Sequence, residues 1–349
     1  MASVIVANAF FLSNSFAYHD MTRSRLQGTP RRPIQLTKVA TARFGANTIK
    51  TIFLKPNMAL NHYKDHVHMV PDIDLGQMLE DGYVFRQNFH IRSYEVGSNQ
   101  TVAIETLTNI FQEAIINHVK AVGEWDHGLG LTREMCKKNL IWVMAKLQLV
   151  VDRYPIWSDV IQVDIRNGAY GKIGMVSNGT FCDAKTGDIL IKASCLWLMM
   201  NEETRKLSKF PDEVHNELDK HFTDTTPPMS RKWSTRDKSN VDYVRKGLTP
   251  IWSDLDINQH VNNAKYIGWI LESVPYTIVE NYELASLNLE YCRECRKEDM
   301  LRSHTYVIGT GKDNLGDRDR IDCEHSLQLE IGGGMIMKGW TTWRQKKWK

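Results

Sequence analysis

Apolar and polar positions change period several times along the chain, and each change marks an element. Phe89 and Ile91 alternate with His90 and Arg92. That two-residue period predicts a strand over 85–92. From 104 the period lengthens. Leu107, Ile110, Phe111, Ala114, Ile115 and Val122 fall on one stripe, which predicts a helix over 104–122 that Gly123 can stop. Apolar segments follow at 141–151, 160–166, 171–182 and 189–200, with Pro155, Gly168, Gly171 and Gly187 near their ends. These read as successive strands. Residues 201–245 are charged, hold Pro211, Pro227 and Pro228, and show little periodicity. They read as a helix fragment and a linker. Then the order returns: a buried helix over 263–281 and strands near 285–292, 300–308, 321–331 and 335–344. Strand, helix and a run of strands thus occur twice, which predicts an α+β chain of two similar units.

The polar signal concentrates between Trp252 and Pro275, in the stretch WSDLDINQHVNNAKYIGWILESVP. Asp256, Asn258 and His260 sit at every second position. In an extended segment they would share one side, presenting a carboxylate, an amide and an imidazole together. Tyr266, Ile267, Ile270, Leu271 and Val274 then follow helical spacing. Asn262 and Asn263 suit the start of that helix, and Pro275 suits an end or a kink. From spacing alone the plainer reading is a pair of caps and a solitary hydrogen-bonded histidine.

Composition narrows the picture. The chain has 349 residues, 42% of them hydrophobic and 24% charged, enough for two ordinary globular domains. A net charge of +3 gives no bulk reason to expect nucleic acid, although a local basic patch would suit an acidic partner. Six cysteines, at 136, 182, 195, 292, 295 and 323, are scattered. Cys292 and Cys295 form a C-x-x-C without a second pair, which argues against zinc and for reduced thiols. Residues 1–50 carry seven Lys/Arg against one acid, Asp20, as organelle transit peptides do. No apolar run reaches the ~18–20 residues of a membrane helix. The segment Thr51–Leu60 is short and broken by Lys55 and Pro56.

The run D-L-D-x-N-Q-H-V-N-N-x-K-Y-I-G-W-x-L-E-S from Asp254 resembles the signature of plant acyl-acyl-carrier-protein (acyl-ACP) thioesterases. So do R-S-Y-E-V-G at 92–97, I-E-T-L-T-N at 104–109, W-L-M-M-N at 197–201 and L-E-Y-C-R-E-C at 289–295. N-H-V-K at 117–120, N-L-I-W-V at 139–143 and D-R-Y-P at 152–155 resemble the B class of that family. The resemblance implies a tandem hot-dog fold, in which each unit is a long helix wrapped by an antiparallel sheet. It implies hydrolysis of acyl-ACP to a free, saturated, medium-to-long fatty acid in the plastid stroma. The acyl carrier protein would be the partner, with no metal or organic cofactor, no nucleic acid and no transmembrane segment; a homodimer stays open. The units would run from a plastid leader at 1–50 and a variable linker at 51–80 to an acyl-binding hot-dog at 81–205. A linker at 206–245 would then lead to a catalytic hot-dog at 246–345.

The resemblance places the catalytic set on Asp256, Asn258, His260, Glu294 and Cys295. Two mechanisms fit. In one, Cys295 attacks, with His260 as base and Asn258 orienting it. In the other, Glu294 or Asp256 activates water while Asn258 and backbone amides hold the carbonyl. In a regular strand Glu294 and Cys295 face opposite sides. The apolar side, with Leu287 and Leu289, takes Cys295, which favours carboxylate-activated water. The acyl chain would lie along Ile104, Leu107, Phe111, Ile115, Val143, Ala145, Met175 and Trp197. After Gly171–Met175 the family continues Arg-Arg-Asp-Trp, whereas this chain has Val176, Ser177, Asn178 and Gly179. Restoring that quartet is expected to raise activity or shift chain length. The rival readings are a hot-dog hydrolase of acyl-CoA and a relic that binds acyl-ACP without turnover.

Overall fold

The computed structural model describes residues 39–44, 47–52, 76–122, 130–233, 242–256, 260–312 and 319–346. Strands β1 (Val39–Phe44) and β2 (Asn47–Ile52) form a separate antiparallel hairpin. The rest of the leader-like segment and nearly all of Thr51–Leu60 lie outside the described residues.

The main body carries β3 (Gln77–Leu79), β4 (Val84–His90), α1 (Ile104–Val122), α2 (Arg133–Lys137), β5 (Leu140–Val151), β6 (Val160–Tyr170), β7 (Gly174–Asp183), β8 (Ile189–Asn201) and β9 (Leu207–Ser208). It continues through α3 (Asp212–Leu218), β10 (Tyr243–Leu248), α4 (Asn263–Leu271), α5 (Tyr276–Asn281), β11 (Tyr282–Tyr291), β12 (Leu301–Lys312), β13 (Asp319–Leu329) and β14 (Met335–Gln345). The main-body strands form one antiparallel sheet in the order β10-β12-β13-β14-β11-β5-β8-β7-β6-β4-β3, with β9 on β8. That order is a duplication. A strand, a helix and four more strands are arranged 1-3-4-5-2 in β4–β8 with α1, and again in β10–β14 with α4. The two units meet at their second strands, where β11 pairs with β5 from Ser286↔Val150 to Glu290↔Lys146.

The helices pack against the sheet. Leu107, Ile110, Phe111, Ala114 and Ile115 of α1 are buried with Phe85, Ile161, Ile165 and Phe181 of the sheet. Each buried side chain of this size contributes roughly 1.5–3 kcal/mol by leaving water. Tyr266, Ile267 and Ile270 of α4 do the same beneath β11–β14. The single helix expected over 263–281 is corrected to two. Pro275 cannot donate into a helical ladder and restricts the residue before it, so α4 ends at Leu271 and α5 restarts after Pro275. Ser273 occupies the break, with its hydroxyl 3.0 Å from the Ile270 carbonyl oxygen and 2.8 and 2.7 Å from Ser303 and Thr305.

Within 201–245, read as a helix fragment and a linker, the helix is α3. Val214 and Leu218 of α3 are buried with Phe210, Met135, Leu140 and Met199. Among the described residues, no helix is long and apolar enough to cross a membrane.

Candidate active site

One cavity of about 310 Å³ runs between the two units. Its apolar wall comes from the first unit: Ile115, Ile116 and Val119 of α1, Val143 and Ala145 of β5, Met175 of β7 and Trp197 and Leu198 of β8. Its polar wall comes largely from the second: Asp256, His260, Asn263, Tyr291, Arg293 and Glu294. Of the eight positions expected along an acyl chain, Ile115, Val143, Ala145, Met175 and Trp197 line this space. Ile104, Leu107 and Phe111 do not, and pack in the core.

Asp256 and His260 bond to each other, which corrects the alternating reading for this pair. Asp256 N–H donates to the His260 carbonyl oxygen at 2.7 Å, and His260 N–H donates to Asp256 Oδ1 at 3.0 Å. An isolated bridge between Leu255 and Val261 closes the loop. Asp256 is therefore tied to the backbone that carries His260. Both reach the cavity. Asn258 lies outside the described residues.

The loop delivers His260 just before α4. Asn262 caps that helix, its side chain accepting from Ala264 N–H at 2.8 Å. Val261 and Asn263, at the first turn, line the cavity, so the partly positive end of the helix faces it. Asn263 Nδ2 donates to Gln112 Oε1 of α1, and Tyr291 donates to the Asn263 carbonyl oxygen at 3.1 Å. Lys265 pairs with the buried Asp254 at 3.0 Å and holds the base of the loop.

Glu294 and Cys295 follow the end of β11. The regular strand presumed for them does not reach them: β11 stops at Tyr291, and the amides of Cys292 and Arg293 both donate to the Ile336 carbonyl oxygen, at 2.8 and 3.2 Å. Two residues thus share one acceptor, as at a bulge. The two side chains nevertheless separate. Glu294 lines the cavity, its Oε1 3.9 Å from His260 Nδ1 and ion-paired with Arg205. Cys295 is 5% exposed and packs on Tyr266, with its amide 3.3 Å and its Sγ 3.4 Å from the phenol oxygen. Burial pushes the thiol up to about 11, against the opposing pull of the Tyr266 hydrogen bond. A thiol in that state is a poor nucleophile at neutral pH.

The chemistry on offer is a carboxylate and an imidazole side by side on the polar wall of the cavity, beside the N-terminus of a helix. The sequence reading missed Arg205, Gln112, Tyr266 and Tyr291 as parts of this site, and treated Asn263 only as a helix start. The W-L-M-M-N block ends four residues before Arg205 and is the only local signal near it.

Comparison with known proteins agrees in extent and arrangement. Residues 82–218 match the model of the acyl-ACP thioesterase N-terminal domain, and 237–345 that of the C-terminal domain. A chloroplastic palmitoyl-acyl carrier protein thioesterase of Gossypium hirsutum is 48% identical over 305 residues, covering 85% of this chain and 74% of that protein. Its counterpart from Arabidopsis thaliana is 47% identical over the same length, covering 85% and 74%. The solved structure of a 12:0-ACP thioesterase from Umbellularia californica, 43% identical, superposes with a TM-score of 0.69 over 75% of this chain and 94% of that one. With its two hot-dog units and both family domains in order, this chain belongs to the acyl-ACP thioesterase family.

Proposed function

We propose that this protein hydrolyses the thioester of acyl-ACP in the plastid stroma and releases a saturated, medium-to-long fatty acid. Support comes from family membership, from relatives named chloroplastic, and from one observation above the others. Glu294 and His260 share the polar wall of a cavity whose other wall is apolar, while Cys295 is turned onto Tyr266. In this reading 81–205 is the acyl-binding unit, 246–345 the catalytic one, 206–245 the connection and 1–50 the leader.

The acyl chain lies along Ile115, Met175 and Trp197, with the thioester carbonyl at the start of α4. Glu294 takes a proton from water as the water oxygen bonds to the carbonyl carbon. The negative oxygen that forms is stabilised by the helix end and by Asn258. Collapse of the tetrahedral intermediate breaks the C–S bond, and the departing pantetheine sulfur takes the proton back from Glu294 or through His260. Asp256 holds the loop on which His260 rides.

The test is fatty acid release by the full chain from acyl carrier proteins bearing C8 to C18:1 chains, with acyl-CoA esters in parallel. Turnover peaking at one saturated length on the carrier is the expected result. Preference for CoA under matched conditions would instead make it an acyl-CoA hydrolase, and tight binding without turnover would make it a relic.

A further inference from the structure

We propose that Arg205 is a positioning residue for Glu294: a cation borne by the first unit that fixes the carboxylate of the second in the cavity wall. This rests on the reading of Glu294 as the base that activates water.

The two ends of the contact are held very differently. Glu294 stands beyond the last residue of β11, outside any ladder, and its side chain is 38% exposed. A glutamate there has free rotamers, and most of them point away from a thioester. Arg205 is fixed. It sits in the turn between β8 and β9, where its N–H donates to the Asn201 carbonyl oxygen at 2.9 Å. Thr204 N–H donates to Asn201 Oδ1 at 2.8 Å, and Asn201 N–H to the Lys206 carbonyl oxygen at 2.9 Å. Arg205 also has φ +55°, a left-handed conformation that is costly for a residue with a β-carbon and persists only where its surroundings enforce it.

The strand that leads into this turn also builds the apolar wall, through Trp197 and Leu198. One element therefore sets both the acyl groove and the guanidinium that reaches the base. Arg205 Nη2 donates to Glu294 Oε1, the oxygen that faces His260 Nδ1 at 3.9 Å. The shortest contact to each of the two neighbours runs through Oε1, so the guanidinium holds the carboxylate beside His260. A planar guanidinium does this better than an ammonium because its donors are pre-oriented.

The experiment measures kcat and KM on acyl-ACP for the full chain and for Arg205→Ala, Arg205→Lys, Glu294→Gln and the Arg205→Ala/Glu294→Gln pair, with a thermal melt of each. Arg205→Ala is expected to lower kcat about tenfold to a hundredfold with KM within about threefold, as for a misplaced catalytic group. Guanidinium ion at low millimolar concentration should restore part of that loss, and the double variant should be no slower than Glu294→Gln alone. Unchanged kcat in Arg205→Ala beside a slow Glu294→Gln would overturn the role of Arg205 and leave the base in place. A raised KM alone would make Arg205 a carrier contact and also overturn it, as would additive losses. A Glu294→Gln variant near wild-type rate would remove the base, and this inference with it. If Arg205→Ala fails to melt as a folded protein, Arg205→Lys decides: intermediate kcat at unchanged KM supports the role, and wild-type kcat refutes it.

Discussion

His260 Nδ1 lies 3.9 Å from Glu294 Oε1, just outside hydrogen-bond range, with both groups on the wall of one cavity. Contacts of this kind are often long before substrate arrives and tighten with it. Both side chains are partly exposed, at 27% and 38%, so neither carries the fold. Glu294→Gln keeps the shape of the side chain and removes its basicity. It is expected to lower kcat about 10²–10⁴-fold, and His260→Ala by a similar factor, with melting temperatures close to the parent's. Full activity in either variant, read as fatty acid release, would take that residue out of the site.

Cys295 is expected to be dispensable for turnover. Its thiol is raised to about 11, first by burial, and its sulfur faces Tyr266 rather than the cavity. Cys295→Ser and Cys295→Ala should keep kcat within about threefold, the small change being one of packing. Intact-mass spectrometry of the enzyme quenched during turnover should show no acyl adduct. An adduct on Cys295, or a loss above about a hundredfold in both variants with the fold preserved, would restore the covalent mechanism.

Much of this architecture was legible because it is local. The helix over 104–122 follows from its stripe, and the structure places it at Ile104–Val122. The strands of both units follow from apolar runs between turn residues. What was not legible depends on distance along the chain. Arg205 and Glu294 are 89 positions apart, and Asn263 and Gln112 are 151 apart; no spacing rule links such pairs. Glu294 and Cys295 separate as parity expects, but past the end of β11 rather than on it, whereas Asp256 and His260 bond to each other instead of alternating. Those departures fall at the candidate site, where backbone regularity gives way to aiming side chains.

Two buried imidazoles should make the fold acid-sensitive. Burial pushes both His118 and His325 down to about 3. His325 bonds Thr305 and Thr341 at 2.8 and 2.7 Å, and His118 bonds Asn167 at 3.1 Å and stacks on Phe85. The unfolded chain takes up each proton near the ordinary value of 6.5, whereas the folded chain holds off until about 3. Their contribution is therefore complete above 6.5 and is lost as pH falls through that window. Each histidine should give a slope of about 1.4 kcal/mol per pH unit within it. Urea denaturation at pH 7, 6 and 5 measures this slope, and His325→Gln should flatten it by about one proton. A stability that does not change across that range would refute the assignment of both as buried and neutral.

Gly179 and Phe111 should behave as one unit, and this bears on restoring Arg-Arg-Asp-Trp at 176–179. A β-carbon on Gly179 would come within 2.5 and 2.8 Å of the Phe111 ring and 3.4 Å of Ile165 Cδ1. The ring, which also packs on Phe181, fills the space that a side chain at 179 would need. Val176 and Ser177 are 1% and 0% exposed, so arginines placed there alone would bury unpaired charge. Gly179→Ala is expected to cost about 1–3 kcal/mol by overpacking. Phe111→Leu should cost about 1 kcal/mol or more through the lost ring. In the double variant the smaller side chain makes room for the new methyl. Its loss should fall short of the two single losses combined by at least about 0.5 kcal/mol. Urea denaturation of the four proteins measures that coupling. Strict additivity would mean that the ring moves aside freely and that position 179 can be altered on its own. Coupling would mean that the departure at 176–179 is accommodated from α1, so that neither activity nor chain length can be judged from the quartet without Phe111.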